Sequence, residues 1–427
     1  MSAKELQARI DKLAADIDLQ KTVLQQLEQS KSAAQRQLNA ICDPMTRLPP
    51  EISSAIFLLC LPHSHPKPTP RTAPMLLLRV CHAWAEIAVS TPALWVAIHV
   101  DVLRVEFLQA WLQRARNYPL SISLRGSFNS RIGILLRQYA KQLKHLKIYD
   151  EELDDLDSLT ALESFPCLET LTLGALSDGD TDLETLSLDH IMGLLRLTPN
   201  LVECTFHDVC FDVVSDSEDE YDNINGNEKL VLPKLRCLKF GPTADLNYLA
   251  GEDWIIRHLT LPAVKTLTLP LTQISTADLS SFLKRSSPPL EKLVLGVGIS
   301  DLRFQQLADC LRVLSSLVHL EFGPDSTSHL VEDLLDALAD SPHFLPNLRT
   351  LKVVCNLPFP CRPLYQKVLR AVTARCAQLV CLDIRTEYDR DPSALHYMPD
   401  AGIRDDLRKF AAEGVNLYIG TLSRNMI

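Results

Sequence analysis

The sequence predicts an α/β fold in which parallel strands line the inside of a solenoid and helices cover its outside, with an all-α segment in front of it. Three observations support this prediction. A short leucine motif recurs along the chain from about residue 120 onward, and stretches with helical spacing separate its copies. The residues before position 100 are rich in apolar helical runs but lack the motif.

The recurring motif is L-x-x-L-x-L, and it occurs nine times. Its copies begin at Leu143, Leu168, Leu201, Leu235, Val264, Leu290, Leu317, Leu348 and Leu379. Successive copies are 25 to 34 residues apart. Leucine-rich repeats typically span about 20 to 29 residues, so the longer spacings predict longer helices or loops between strands. Because a single repeat cannot bury its own apolar face, we expect all copies to stack into one leucine-rich-repeat domain over residues 105–427.

Helical spacing between the strands is clearest at residues 276–284, 301–313, 330–339 and 364–374. One segment breaks the alternation. Residues 212–228 are acidic and contain few large apolar side chains, so they are predicted to form a disordered insertion. Ser215 and Ser217 in this insertion precede acidic residues and are candidate phosphorylation sites. An unmodified, solvated loop is the simpler interpretation.

Core-type positions in residues 1–42 follow the 4-3 spacing of a coiled coil. These positions are Leu6, Ile10, Leu13, Ile17, Gln20, Leu24, Leu27, Lys31, Ala34, Leu38 and Ile41, of which Gln20 and Lys31 are polar interruptions. Two interpretations stay open. The helix is either a homodimerisation segment through residues 6–41, which gives the protein two binding arms, or a single helix folded back on the domain that follows.

Residues 45–98 are predicted to form a helical domain. An apolar helix is expected over residues 45–61, opened by a Pro-Pro pair, because the first turn of a helix has backbone N–H groups without partners and tolerates proline. A second apolar helix is expected over residues 75–89. Between them, residues 62–74 contain five prolines, which predict an exposed loop.

This block carries four short motifs in a fixed order. They are Leu48-Pro49-Pro50-Glu51-Ile52, Ile56-Phe57, Leu78-x-Val80-Cys81-x-x-Trp84 and Pro92-x-Leu94-Trp95. In this order and spacing they resemble an F-box, the helical hook by which substrate receptors attach to the Skp adaptor of cullin-RING ubiquitin ligases. The coiled segment before the block, residues 107–124 and the leucine-rich repeats after it are similar to the F-box-like proteins expanded in mushroom-forming (basidiomycete) fungi. The proline-rich loop departs from the family pattern, and it either weakens the adaptor contact or bulges into solvent.

The resemblance implies a substrate-recognition adaptor of a Skp-cullin-F-box ubiquitin ligase. The box would bind the Skp adaptor, and through it a cullin, while the repeats would bind an unknown protein client. The residues implied in binding the Skp adaptor are Leu48, Pro49, Glu51, Ile52, Ile56, Phe57, Leu61, Leu78, Val80, Trp84, Leu94 and Trp95. Of these, Trp84 and Trp95 above all are also expected to serve the core of the block itself.

Candidate client-binding residues follow from the repeat motif. Because its leucines point into the solenoid, the residues between them face the concave side, where repeat proteins form extended binding surfaces. These residues include His145, Lys147, Tyr149, Thr170, Glu203, His207, Lys239, Lys292, His319, Glu321, Lys352, Asp383 and Arg385. Taken one at a time, each is equally well interpreted as an ordinary polar residue on a solvated sheet.

Composition limits the other partners. The formal net charge is -10, with 53 acidic against 43 basic residues, and a surface of that sign repels nucleic acid. No membrane partner is predicted, because no stretch holds 18 uncharged apolar residues and the N-terminus lacks the apolar run of a secretory signal. The twelve cysteines contain no C-x-x-C pair, which indicates reduced thiols and a location in the cytoplasm, the nucleus or both.

We predict neither catalysis nor a cofactor. The sequence lacks the phosphate-binding, dinucleotide-binding, zinc-protease and nucleophile-elbow motifs. The best metal candidate is the group Cys60, His63, His65, Cys81 and His82, which lacks paired ligand spacing, so no metal site is predicted. Two alternatives to the ligase adaptor remain. One is a repeat scaffold without a ligase role, and the other is an enzyme with a site inside the concave face.

Overall fold

The computed structural model describes residues 3–101, 104–150, 157–160, 164–176, 185–207, 210–212, 229–241, 252–269, 276–296, 304–323, 328–355, 362–386, 399–421 and 424–427. The chain divides into two compact units. The first contains Met1–Val100 and Glu106–Ser121, and the second contains Asp101–Val105 and Ile122–Ile427. The coiled segment and the box-like block therefore both lie in the first unit.

Helices account for most of the first unit. They are α1 (Ala3–Cys42), α2 (Pro44–Arg47), α3 (Pro50–Leu59), α4 (His82–Ser90) and α5 (Val105–Ala115), joined by 3-10 helices at Leu77–Arg79 and Pro92–Trp95 and by the strand β1 (Ala97–Val100). Two predictions were wrong in detail. The helix predicted over residues 45–61 is two helices, and the helix predicted over residues 75–89 is a turn and a short 3-10 helix followed by α4.

Backbone constraints explain both breaks. A proline disfavours helical geometry in the residue before it, and Leu48, which precedes Pro49, is extended with φ -81° and ψ 149°. The break before α4 lies at Cys81, whose backbone is extended and whose thiol donates to Asp43 Oδ2 at 3.4 Å. Neither glycine nor proline marks this second break, so the apolar run conceals it in the sequence.

α1 is exposed along its length. Every described side chain between Lys4 and Cys42 is accessible to solvent. The interpretation that this helix folds back on the following domain is therefore wrong, whereas homodimerisation stays a prediction. Across the described parts of the chain, no helix is both long enough and apolar enough to cross a membrane.

The proline-rich loop is held against its own unit at several points. Pro66, Ala73 and Pro74 are buried. The backbone N–H of His99 donates to the carbonyl of Pro66 at 3.0 Å, and His65 Nε2 lies 2.7 Å from Ser121 Oγ. The prediction of an exposed loop was therefore wrong at Pro66, Ala73 and Pro74, whereas residues 62–64 and 69–72 are exposed as predicted.

Two tryptophans organise the core of the first unit. Trp95 and Trp111 are 0% and 1% exposed, and their rings meet edge to face with centroids 4.8 Å apart. Trp95 Nε1 donates to the carbonyl of Ala88 at 2.9 Å, and Trp111 Nε1 donates to the carbonyl of Trp95 at 2.9 Å. Both buried N–H groups are thus satisfied. Trp111 lies on α5, so this helix packs in the first unit, although the sequence analysis assigned it to the repeat domain.

The second unit alternates strands and helices. Its strands are β2 (Leu120–Arg125), β3 (Leu143–Asp150), β4 (Thr170–Ala175), β5 (Thr185–Ser187), β6 (Glu203–His207), β7 (Cys210–Asp212), β8 (Leu230–Val231), β9 (Cys237–Phe240), β10 (Leu259–Thr260), β11 (Thr266–Leu269), β12 (Lys292–Leu295), β13 (His319–Phe322), β14 (Thr350–Cys355), β15 (Cys381–Thr386) and β16 (Asn416–Thr421). The first two residues of β2 belong to the first unit. The helices are α6 (Ser130–Gln138), α7 (Asp157–Thr160), α8 (Leu188–Arg196), α9 (Glu252–His258), α10 (Thr276–Ser286), α11 (Phe304–Arg312), α12 (Ser328–Asp340), α13 (Arg362–Arg375) and α14 (Ala401–Ala412).

One sheet runs through this unit in the order β2-β3-β4-β6-β9-β11-β12-β13-β14-β15-β16, and its strands pair in parallel from β3 onward. The second leucine position of every motif occupies a single row of this register. The row consists of Leu146, Leu171, Cys204, Leu238, Leu267, Leu293, Leu320, Leu351, Leu382 and Leu417, all of them buried. The predicted leucine-rich-repeat solenoid is therefore confirmed.

The structure adds one repeat to the nine and confirms the helices between them. Leu417 and Ile419 of β16 occupy the last two positions of a tenth motif, whose first position is Gly414 rather than leucine. The four helical stretches predicted from spacing correspond to α10, α11, α12 and α13. Residues 213–228, which include Ser215 and Ser217 of the acidic insertion, lie outside the described residues.

A buried arginine caps the C-terminal end of α12. Arg375 on α13 donates from its guanidinium to the carbonyls of Leu338 at 3.0 Å, Ser341 at 2.7 Å and Phe344 at 2.7 Å. Burial lowers the pKa of this guanidinium, and the carbonyls replace part of its lost hydration. The last turn of a helix leaves carbonyls without partners, so Arg375 satisfies groups that α12 itself cannot.

We expect Arg375→Ala to lower the free energy of unfolding by about 3 kcal/mol, because a hydrogen bond to a charged group contributes about 1.5 to 3 kcal/mol and buried carbonyls lose their donor. Urea unfolding followed by circular dichroism measures this change. Arg370→Ala is the matched control on the same helix. Its ion pairs with Asp336 and Asp340 are more exposed, so their loss should cost less than about 1 kcal/mol. Equal losses in the two variants would contradict the capping role.

Candidate interaction sites

The first candidate site is an exposed apolar side of α3. Ile52, Ile56 and Leu59 follow an i, i+4, i+7 spacing, which places them on one side of the helix. Leu59 is 86% exposed and Ile52 is 48% exposed. We call these three residues the α3 face. Leu48 and Val80 are also exposed.

The opposite side of α3 builds the core. Phe57 is fully buried, and its ring centroid lies 5.1 Å from that of Trp84. Ser53 is also buried, and its hydroxyl donates to the carbonyl of Met45 at 2.9 Å. The helix therefore separates two functions. One side stabilises the unit, while the other side is free to contact a partner.

The structure divides the twelve residues implied in adaptor binding into three groups. Exposed residues are Leu48, Pro49, Glu51, Ile52, Ile56 and Val80, and half-buried residues are Leu61, Leu78 and Trp84. Phe57, Leu94 and Trp95 are 0 to 1% exposed. The role of Trp95 in the core was expected. The prediction that Phe57 and Leu94 contact the adaptor was wrong, because both side chains are buried in the core and cannot touch a partner.

Leu59 belongs to the α3 face, but it is not among the adaptor-binding residues that the family resemblance implies. Its signal was present, because it lies one helical turn beyond Ile56 on the same side of the helix. The short motif ended at Ile56-Phe57, and the family resemblance therefore gave no reason to extend the set to Leu59.

The thiols and imidazoles of the weak metal candidate take part in separate contacts. Cys60 Sγ donates to the carbonyl of Ile56 at 3.3 Å. His82 Nδ1 lies 3.4 Å from Glu86 Oε1. His65 and Cys81 contact Ser121 and Asp43, respectively. The structure thus assigns structural contacts to these four residues.

The second candidate site is the face of the main sheet that carries the residues between the buried leucines, here called the open face. All thirteen predicted client-binding residues lie on it, and each is at least partly exposed. The register brings neighbours together across strands. His145, Thr170 and Glu203 share one row, and Glu321, Lys352 and Asp383 share another.

An aromatic pair lies on the open face near the carboxyl ends of β3 and β6. The rings of Tyr149 and His207 are nearly parallel, with centroids 6.1 Å apart. Gly174 lies between them in the register, and a Cβ there would come within 2.6 Å of the Tyr149 ring. Burial raises the pKa of Tyr149, and the positive charge of Arg125 opposes that shift. The missing side chain of Gly174 therefore makes room for this pair.

Charged pairs occupy the far end of the open face. His319 Nε2 lies 3.0 Å from Glu321 Oε2, and Arg385 Nε donates to Asp383 Oδ1 at 2.8 Å. This hydrogen bond to Asp383 raises the pKa of Arg385. The guanidinium also lies 4.4 Å from the ring centroid of Tyr418, on the strand that sequence analysis missed. Tyr418 therefore joins the open face.

Four lysines give the open face a charge opposite to that of the whole chain. Among the described residues, no ion pair joins Lys147, Lys239, Lys292 or Lys352 to a carboxylate. Glu321 and Asp383 already pair with cations of the same face. With Arg385 these lysines outnumber the carboxylates of the face, Glu203, Glu321 and Asp383, so positive charge is in excess here, although the formal net charge of the chain is -10.

Comparison with known proteins adds little to this description. No protein-family model matches the chain, and no curated protein matches it. Among solved structures, the crystal structure of the mouse RP105/MD-1 complex is similar over 70% of this chain, with 15% sequence identity and a TM-score of 0.29. The match spans about half of that chain, 52% of its length. This likeness is distant, and the repeat fold rests on the strand register and burial of the chain itself.

The two sides of α3 should respond differently to truncation. We expect Phe57→Ala to lower the free energy of unfolding of the first unit by about 3 to 5 kcal/mol, because it leaves a cavity in the core. Leu59→Ala should change it by less than about 0.5 kcal/mol, because this side chain is exposed. Denaturant unfolding followed by tryptophan fluorescence reports chiefly on this unit, because three of the four tryptophans of the chain, Trp84, Trp95 and Trp111, belong to it. A large loss of stability in the Leu59 variant would contradict the proposed exposed face.

Proposed function

We propose that this chain is a substrate-recognition adaptor of a Skp-cullin-F-box ubiquitin ligase. In this proposal the first unit binds the Skp adaptor, the open face of the repeats binds a protein client, and other subunits carry out ubiquitin transfer. The chain itself is not an enzyme and needs no cofactor. The observation that carries the proposal is the α3 face, which lies within the F-box-like motif and is not needed to complete the core.

The energetics favour a partner on the α3 face. Burying a side chain such as leucine or isoleucine contributes about 1.5 to 3 kcal/mol, and monomeric proteins rarely leave contiguous apolar patches uncovered. The core is complete without these residues, since Phe57 and Trp95 already close it. Ile52, Ile56 and Leu59 are therefore available to supply the central contacts of an interface.

A purified pull-down tests the adaptor contact. The full chain should capture the Skp adaptor in stoichiometric amounts, and Ile52→Glu should abolish capture, because it places a charge in the centre of the apolar interface. Val313→Glu is the matched control, since Val313 is an exposed apolar residue of the second unit and its substitution should leave capture unchanged. A folded wild-type chain that captures no adaptor would remove the ligase proposal.

The runner-up is a repeat scaffold that binds partners without a role in ubiquitin transfer. The proline-rich loop favours this alternative, because it separates the two halves of the box in the sequence and departs from the F-box pattern. Ubiquitin transfer reconstituted with the Skp adaptor and a cullin separates the two functions. The adaptor proposal predicts transfer that depends on Ile52, and the scaffold predicts none.

The charge of the open face indicates the chemistry of the client. Lys239 and Lys292 flank Thr268 and Thr266 of β11 in the register. Lysines without carboxylate partners attract negative charge, and threonine hydroxyls can donate to carboxylates. We therefore propose that the client presents an extended segment rich in acidic side chains.

A polyglutamate peptide serves as the probe for this surface. We expect the double variant Lys239→Glu/Lys292→Glu to bind the peptide roughly tenfold more weakly than the wild type, and wild-type binding to weaken as salt is raised. Lys265→Glu is the control, because Lys265 already pairs with Glu291 and is exposed. Equal weakening in the control would show that overall charge, rather than the open face, governs binding.

A further inference from the structure

α1 carries an apolar stripe that its own unit leaves uncovered. Leu6, Ile10, Leu13, Ile17, Leu24 and Leu27 are 45 to 62% exposed. They repeat with the 4-3 spacing of a coiled coil, with isoleucine or leucine at the a positions and leucine at the d positions. An exposed stripe of this kind marks an interaction surface.

Two polar residues decide how a second helix can lie on this stripe. Gln20 occupies a d position and Lys31 occupies an a position. A single polar core residue fixes register and orientation, because an unmatched polar group in an apolar layer is costly. The correct arrangement must therefore give both Gln20 and Lys31 a polar partner.

An antiparallel second copy of α1 meets this requirement. In antiparallel coiled coils each a position faces a d position of the partner. When Gln20 faces Lys31 of the second copy, the ammonium can donate to the amide oxygen. The same register places Leu24 opposite Leu27 of the second copy and Ile10 opposite Ile41 of the second copy. Every layer of the overlap except the two that pair Gln20 with Lys31 therefore joins apolar side chains.

The charges beside the stripe select the same register independently. Lys21 and Glu28 occupy e positions, which face each other across an antiparallel pair, and this register brings Lys21 of each copy opposite Glu28 of the other. A shift of one heptad in either direction brings two copies of Lys21, or two copies of Glu28, together. Within each chain, Lys21 already pairs with Asp18 at 3.2 Å. Both side chains are exposed, so this ion pair is weak and leaves Lys21 able to pair with Glu28 of the second copy.

A parallel arrangement is less favourable. It would place Lys31 opposite Lys31 of the second copy, inside the seam. The neighbouring flanking positions are Ser30 and Gln35, and neither supplies a carboxylate to offset the repulsion. The parallel pair would form one matched flanking contact, Asp16 with Lys21, but would leave the two ammonium groups in the core without an acceptor.

We propose that α1 pairs with α1 of a second copy as an antiparallel two-stranded coiled coil, with Gln20 of each chain opposite Lys31 of the other. The overlap from Ile10 to Ile41 is about 47 Å long. The two chains leave the coiled coil at its opposite ends.

Light scattering on the full chain measures the association. The wild type should have twice the chain mass of 47.8 kDa, and Leu24→Asp should convert it to a monomer by placing a carboxylate in the central layers. Leu19→Asp is the matched control, because Leu19 is 65% exposed on the same helix but lies outside the seam, and this variant should remain a dimer. A monomeric wild type, or dissociation by both substitutions, would overturn the proposal.

Gln20→Glu tests the orientation. In the antiparallel register the new carboxylate faces Lys31 of the second copy, so the dissociation constant should fall roughly tenfold, as expected for a charge-assisted hydrogen bond. A parallel pair would bring two carboxylates together, and the dissociation constant would rise. Sedimentation equilibrium distinguishes these results, and a rise would overturn the antiparallel register.

Exchange of the flanking charges provides a second test of the register. Lys21→Glu should weaken the dimer, and the double variant Lys21→Glu/Glu28→Lys should restore it, since each new pair again joins opposite charges. In a parallel pair the double variant would stay weak, because the new carboxylate would still face Asp16. Circular dichroism confirms that each variant keeps its helix content, so failure to restore association would count against the proposal.

Discussion

The parallel register of the buried leucine row is the constraint on which the second unit depends. One strand of a repeat has too few apolar side chains to form a core, and only neighbouring copies in the same register can cover them. A slip of one residue would turn every leucine to the opposite face of the sheet. The register that buries Leu146 and Leu382 therefore also fixes the polar rows between them, and the open face is a direct consequence of how the core is built.

Periodic features of this fold could be predicted from the sequence because they repeat. Strand positions, the four clearest helices and the side chains of the open face all follow from a spacing that recurs in each copy. The tenth repeat was not predicted, because Gly414 occupies the first position of its motif, where the other copies have leucine or valine. The breaks at Leu48 and Cys81 are single backbone events. One follows from a proline rule, and the other leaves no mark in an apolar run.

The candidate site was harder to predict for a physical reason. Core and interface residues of a small helical block are both apolar, so composition cannot separate Ile56 from Phe57. Helical geometry separates them, since neighbouring residues point about 100° apart and only one can face the core. Lining up Ile52, Ile56 and Leu59 by spacing gives the exposed side. The burial of Leu94 depends on its contacts in the folded unit, and the sequence contains no local signal for it.

The distribution of exposed apolar side chains links these findings. Among the described residues, the large apolar side chains exposed in the second unit are isolated: Ile134, Val231, Val313 and Val380. In the first unit, two sets of them lie in series, along the α1 stripe and the α3 face, beside single residues such as Leu76, Val89 and Tyr118. Stacked repeats use their apolar groups internally, whereas the first unit completes its core around Trp95 and still has apolar surface left. On both α1 and α3 these exposed side chains recur at helical spacing and so form a continuous apolar side of the helix. A partner helix or an apolar groove can bind such a side. We therefore propose that assembly depends on the first unit and client recognition on the open face of the second.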